Sequence, residues 1–419
     1  MIWKRLKTLF RQWPADVPRL YPKLSDIEIA DYLTKERYLR IKNLPTAYIL
    51  PFFGEESPSE VKQFGTGLSR LMIRNLMLLP DVSIHGYEDT PEFGVDALPR
   101  LSEVMSSAFL VGGKAGHGNQ GFALKFQVYH EGREILRDSV RIGDFHAFLR
   151  DCTVAIGNAL GSKLKPIVAD AWEVGQPSQP FSLKEYGRIV TTIPGPSRER
   201  SKAAATLLKK DPAFVVPVWS VDSGLPASRQ IYFDALERDP YNAQLCFETF
   251  CMVWNSRGSQ PEALQYCRRA IDLSPGHGKA HMCFPHAAPD PAQLWRHSEL
   301  GYLLLPGNSF AVSNYMVALM RAKRPVRDMI MIAKMAITSD PENPSPFQVA
   351  IAHCIEMKAY REALMMAENL QILFEPYMSE RTRYCLRQNP ERVRQMDSGE
   401  YDPATENRKL IKELRELAR

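Results

Sequence analysis

Four side chains within ten residues can bind a transition metal: His277, His281, Cys283 and His286, in the segment PGHGKAHMCFPHAAP. Imidazole nitrogen and thiolate sulfur suit zinc or copper. Their spacing is not that of a known finger, and the prolines explain the segment as an irregular connection. The expectation is therefore no metal, with this quartet as the candidate ligand set. A second candidate is Gly112-Gly113-Lys114-Ala115-Gly116-His117-Gly118. A phosphate loop needs GxxxxGK followed by Ser or Thr, between a strand and a helix, so that backbone N–H groups converge on phosphate. No Ser or Thr follows Lys114, and strand-like sequence lies on both sides, so a flexible hairpin tip is expected. Acid pairs such as Glu55-Glu56 sit in turn-like sequence, and no Ser/His/Asp or Cys/His grouping stands out. The chain reads as non-enzymatic, with no catalytic residues and no cofactor.

The elements around these residues point to binding instead. From residue 181 onward, X-Pro steps recur at Asp211-Pro212, Asp239-Pro240, Ser274-Pro275, Leu305-Pro306 and Asp340-Pro341. The prolines are 28, 35, 31 and 35 residues apart, near the period of about 34 of tetratricopeptide (TPR) repeats. Before Pro275, the large residues Phe247, Phe250 and Trp254, with Cys251, fall on a first helix. Ala263, Cys267 and Ala270 fall on a second, where antiparallel helices must approach closely. The stretch 344–377 repeats this with Phe347, Ala350, Ile351, Tyr360, Ala363 and Ala367. Ala333 and Ala336 continue it in the repeat ending at Pro341. Residues 181–212, 213–242 and 278–308 match poorly, so five or six TPR-like repeats are expected over 181–377. Capping helices follow over 378–419, including an amphipathic Thr405–Leu417.

On a concave face of such repeats, register counting selects Glu248, Met252 and Asn255, then Asn314 and Arg321, then Gln348 and Glu356. Amide and charged groups there can clamp a peptide, and Met252 offers an adaptable apolar contact.

Upstream, the pattern changes. Thr46–Phe53 reads as a buried strand, Glu60–Leu79 as a helix and Val82–Tyr87 as a second strand, which together suggest a right-handed parallel βαβ crossover. A short helix over Leu98–Met105 and a strand over Ala108–Gly112 follow. Phe122–His130 and Arg133–Ile142 read as a hairpin turning at Glu131-Gly132, and Phe145–Leu164 as a helix. Ile49-Leu50-Pro51-Phe52, Phe64-Gly65-Thr66-Gly67-Leu68, Leu79-Pro80-Asp81-Val82 and Phe109-Leu110-Val111-Gly112-Gly113 carry a resemblance. Over 46–165 the chain resembles the TolB-like amino-terminal α/β domain, which is often followed by TPR repeats. The resemblance implies a binding or regulatory module; the companion DNA-binding or cyclase domains of that family are not visible.

Residues 1–45 hold ten Lys/Arg and five Asp/Glu, which accounts for the whole net charge of +5. Within them, Ile2, Leu6, Leu9 and Trp13 share a helical face. The basic and aromatic residues Trp3, Lys4, Arg5, Lys7, Arg11 and Trp13 suit an anionic membrane surface, a protein partner or packing within the chain itself. No run approaches the roughly 20 apolar residues of a membrane span, and no secretory signal is read at the start. The seven cysteines are odd in number and lie in helical patterns, which suits reduced thiols in a cytoplasm. Modest net charge gives no case for nucleic acid.

The fold class expected is thus α/β plus all-α: a small α/β sandwich followed by a TPR-type α-solenoid, joined by a linker at 166–180. The function expected is an adaptor or scaffold holding a protein partner or complex, or a homo-oligomer, with the α/β domain as a second contact. The alternatives are a sensor whose α/β domain binds a small ligand, and a peripheral subunit at the inner face of the membrane.

Overall fold

The computed structural model describes residues 33–419, apart from 55, 88–97, 105–107, 119–120, 166–170, 194–196, 224, 226–227, 256–259, 288–290, 306–307, 340–342, 387–393, 396–397 and 400–401. The amphipathic segment 1–13, with Trp3, Lys4, Arg5, Lys7, Arg11 and Trp13, lies outside the described residues. No helix among the described residues is long and apolar enough to cross a membrane. Chain contacts divide into two compact units, Thr34–Ala287 and Ala288–Arg419 together with Met1–Leu33.

In the first unit, helix α1 (Lys35–Lys42) leads into strand β1 (Thr46–Ile49), helix α2 (Ser59–Leu76) and strand β2 (Ser83–Gly86). Helix α3 (Leu98–Val104) then precedes strands β3 (Ala108–Gly118), β4 (Gly121–His130) and β5 (Arg133–Ile142) and helix α4 (Phe145–Ala159). The sheet order is β2-β1-β3-β4-β5. β1 pairs parallel with both β2 and β3, through Thr46↔Ser83 and Thr46↔Ala108, while β3-β4-β5 are antiparallel. The period-2 alternation of β4 puts Phe122, Leu124, Phe126 and Val128 into one core. Tyr48, Leu50 and Leu110 face the opposite side, against Leu98 and Leu101 of α3. Edge strand β5 is largely exposed and studded with Arg133, Glu134, Arg137 and Asp138, charges that discourage edge-to-edge pairing.

Two expectations change here. Gly112–Gly118 is not a flexible tip: β3 runs through it, pairing Gly112 with Gln127 and Gly118 with Gly121. At Gly113 a Cβ would land on the Lys125 carbonyl of β4, and β4 rather than a helix follows, so nothing cradles a phosphate. The packing also does not break over 171–180, the described part of the expected linker. Helices α5 (Pro180–Thr192) and α6 (Arg198–Lys210) and the 3-10 turn Val216–Ser220 deliver Leu183, Tyr186, Ile189, Leu207, Phe214 and Val216 into the sheet's own core. The stretch expected as a first degenerate repeat therefore forms part of the α/β layer. The contact is close: a Cβ at Gly187 would land on the Gln63 carbonyl, and one at Gly67 on the Leu183 carbonyl. Only glycine permits α2 and α5 to cross at this distance.

The unit closes with α7 (Ser228–Arg238), α8 (Ala243–Asn255), α9 (Gln260–Leu273) and α10 (Gly278–Ala287). In the α8–α9 hairpin the small residues Ala263, Cys267 and Ala270 are fully buried, as close approach requires. In the second unit, α11 (Pro291–Leu304), α12 (Ser309–Arg321), α13 (Val326–Ser339), α14 (Ser345–Glu356), α15 (Tyr360–Leu386) and α16 (Pro403–Leu417) follow. One apolar core takes in Ala333, Ala336, Phe347, Ala350, Ala363 and Ala367. α15 continues past 377, and α16 is capped by Asp402, which accepts from the Ala404 and Thr405 N–H groups. The fold is thus an α/β part plus a helical part.

Candidate functional site

The X-Pro steps do more than punctuate. Asp239, before Pro240, is completely buried and receives the fork of Arg74 from α2: Nε to Oδ2 at 3.0 Å and Nη2 to Oδ1 at 2.6 Å. Arg74 also donates to the Ala171 carbonyl at 2.8 Å and to Asn75 Oδ1 at 3.1 Å. Asn242 Nδ2 donates to Asp239 Oδ2 at 3.0 Å. Asn75 in turn donates to Thr153 and receives Trp172 Nε1 and Gln176 Nε2. The buried charges are thus paired and their remaining hydrogen-bond capacity is largely filled, the condition under which burial of ions is tolerated. Ser274-Pro275 acts similarly. Ser83 of β2 donates its hydroxyl hydrogen to the Gly276 carbonyl at 2.6 Å, so His85 Nε2 must donate to Ser83 Oγ, 2.7 Å away.

Beside this seam lies a largely enclosed cavity of about 230 Å³. Arg70 and Ile73 reach it from one face of α2, Met77 from that helix's C-cap, His85 and Gly86 from β2, and Trp219 from the 3-10 turn. Gln244 and Glu248 enter one turn apart on α8, and Gln244 Nε2 donates to Glu248 Oε1 at 2.7 Å. His277 and Lys279 complete the lining.

His277 is 2% exposed, and its ring packs against Phe247 at 5.3 Å. Its Nδ1 accepts from the Ala280 N–H at 3.2 Å, so it caps the start of α10. Nδ1 therefore holds the lone pair, and Nε2 carries the hydrogen of the neutral ring. Burial, with Lys279, His85 and His281 nearby, holds its pKa well below the ordinary histidine range. The Nε2 atom is buried and has no hydrogen-bond partner, and the same is true of Trp219 Nε1.

The candidate metal quartet is not assembled. His277 is a helix cap, and His281 Nε2 donates to the Pro275 carbonyl at 2.9 Å. Burial lowers the His281 pKa to about 4. Cys283 is a free thiol pushed up to about 12, again by burial. The His286 side chain lies outside the described residues. No cluster of three His, Cys, Asp or Glu suited to a metal occurs among the described residues. Their helical spacing was a capping and packing pattern.

The seven groove residues do not share one environment. Met252 is 1% exposed, so it is a core residue rather than an adaptable surface contact. Asn314 is 9% exposed, also too buried to clamp a peptide. Gln348 is half-buried. Glu248 lines the cavity. Asn255, Arg321 and Glu356 are exposed, and each is the last residue of its helix. Counting helical register identified the outward ends of these helices, but it could not foresee what packs over their middles.

Sequence reasoning missed Arg70, Arg74, Trp219 and Asp239. The available signal was an arginine on the apolar stripe of α2, flanked by Leu71, Met72 and Ile73. Exposed apolar side chains also gather on α15, where Met365, Ile372 and Leu373 point outward. A shallow groove of about 630 Å³ runs between β5 and α4. No protein-family model matches this chain, and no curated protein matches it either.

Proposed function

We propose that the chain is a non-enzymatic adaptor whose helical hairpins hold a protein partner. The observation that carries this reading is the outward face of α15. Ile372 is 77% exposed and Leu373 45%, two helical turns beyond Met365, while Ala363, Met366, Ala367 and Leu370 on the same helix are buried. Large apolar side chains grouped on one helix mark a surface that a second molecule covers. Exposed Arg321 and Glu356 add polar selectivity in the same unit. The α/β layer is the second contact, through the groove between β5 and α4, and TPR-like geometry is the form proposed for the array.

The test is purification of the tagged full-length chain from its native cells in mild detergent, beside the variant Ile372→Asp/Leu373→Asp. The reading expects a reproducible, near-equimolar protein partner that the variant loses while keeping its thermal unfolding midpoint. A partner held equally by the variant contradicts the α15 face, and a partnerless chain contradicts the adaptor reading.

A further inference from the structure

We propose that the open face of strands β3–β5 docks on an anionic lipid bilayer, with Lys114, Lys125 and Arg141 against the headgroups.

Strand pairing sets this face. Lys114 stands directly opposite Lys125 across β3–β4, and Lys125 opposite Ser139 of β5. Two residues along, Gly116, Ala123 and Arg141 form the next row. Directly opposed side chains share one side of the sheet, and like charges so placed cost stability. Lys114, Lys125 and Arg141 are exposed, and their side chains form no ion pair with any described residue. The carboxylate on this side of the three strands, Glu134, is taken by Arg137, Gln127 and Tyr129. Three positive charges are left over. Helix α3 packs over the neighbouring part of the face, where a Cβ at Gly112 would meet the Leu98 side chain. Above Gly116 the face is open, and a Cβ there would meet nothing within 4 Å.

The chemistry of the face selects the partner. Protein interfaces centre on apolar and aromatic side chains and are depleted in lysine. Here lysines hold the centre, and Gly116, Ala123 and Ser139 make a flat floor between the cations. Single-stranded nucleic acid needs rings on which its bases stack. Tyr129, the aromatic residue on this side of the strands, packs with the α3 cluster and donates to Glu134. A flat cationic face with neither anchors nor rings matches a planar array of negative charge. An anionic bilayer is such an array, and each lysine or arginine beside it adds to binding through the surface potential.

The test sediments the full chain with phosphatidylcholine vesicles, with and without phosphatidylglycerol. The expected result is sedimentation with the phosphatidylglycerol vesicles, weakened by added salt. Lys114→Gln/Lys125→Gln should lower the partition coefficient about thirtyfold, at about fivefold per cation. The same variant should keep or raise the unfolding midpoint, since it relieves the repulsion across β3–β4. Lys202→Gln/Lys209→Gln removes the same charge from exposed positions of α6, whose Leu207 packs on the sheet's other side, and should leave the partition nearly unchanged. No sedimentation overturns the proposal. So does vesicle binding that Lys114→Gln/Lys125→Gln leaves intact, or an equal loss in the two double variants. Displacement from the vesicles by a duplex oligonucleotide carrying the same amount of charge overturns the lipid assignment.

Discussion

The two units hold themselves together by different means. In Thr34–Ala287 the α/β layer is fastened to the following helices by the buried Arg74–Asp239 pair, its hydrogen-bond network and a glycine-lined helix crossing. In Ala288–Arg419 one apolar core built mainly from alanine, valine, leucine, isoleucine and methionine joins the helices; the hydrogen bonds of Asn407 to the Ala367 carbonyl and Gln371, and the exposed Arg415–Glu368 pair, are polar ties between α15 and α16. Polar networks specify one arrangement and are unforgiving when half broken. Apolar hairpins tolerate change and leave faces free. The first unit is thus suited to holding one fixed arrangement, and the second to presenting an apolar surface.

The largest effect should come from half-breaking the seam. Asp239→Asn leaves a buried guanidinium uncompensated, so the full chain should lose about 3–5 kcal/mol in urea unfolding. The double variant Arg74→Met/Asp239→Leu, which removes both charges, should recover most of that loss. A loss below about 1 kcal/mol for Asp239→Asn would show that the pair is dispensable. Next, Met252→Ala should cost about 2–5 kcal/mol by opening a core cavity. Ile372→Ala in the second unit should change stability by no more than about 0.5 kcal/mol. Equal costs would erase the distinction between a filled core and a free face.

The buried histidines sharpen the comparison through pH. In the unfolded chain His277 and His281 titrate near an ordinary 6.5; in the folded chain His281 is held at about 4 and His277 is also lowered. Stability gained by keeping them neutral is complete above pH 6.5. It drains as pH falls from about 6.5 to 4, because the unfolded state takes up protons first. For His281 alone the loss is on the order of 3 kcal/mol. His281→Gln should flatten the slope of unfolding free energy against pH in that window, whatever its effect at pH 7. An unchanged slope would show that His281 protonates freely in the fold.

The sequence made the strands legible because alternation and apolar runs reflect burial directly: Phe122–His130 and Arg133–Ile142 match β4 and β5 to within one residue. The α8–α9 hairpin was legible for the same reason, since Ala263, Cys267 and Ala270 are small because helices meet there. What escaped were features set by distant chain. Arg74 and Asp239 are 165 residues apart, and a lone arginine on a helix ordinarily belongs to a solvated face. Gly187 lies in a stretch that reads as a degenerate repeat, whereas it is where α5 touches α2. His277 and His281 looked like ligands because a capping histidine and a metal histidine share one residue type. Met252 was placed by register alone, and register does not say which neighbours cover a helix.

The central claim is that the α/β layer and helices α5–α10 form one cooperative body rather than a domain with an appended array. Native-state hydrogen exchange of the full chain in increasing urea tests it most directly. Peptides from β1–β3 and from α8–α9 should open together, at one free energy and with one urea dependence. Opening of α8–α9 at markedly lower free energy, while the strands stay protected, would contradict it.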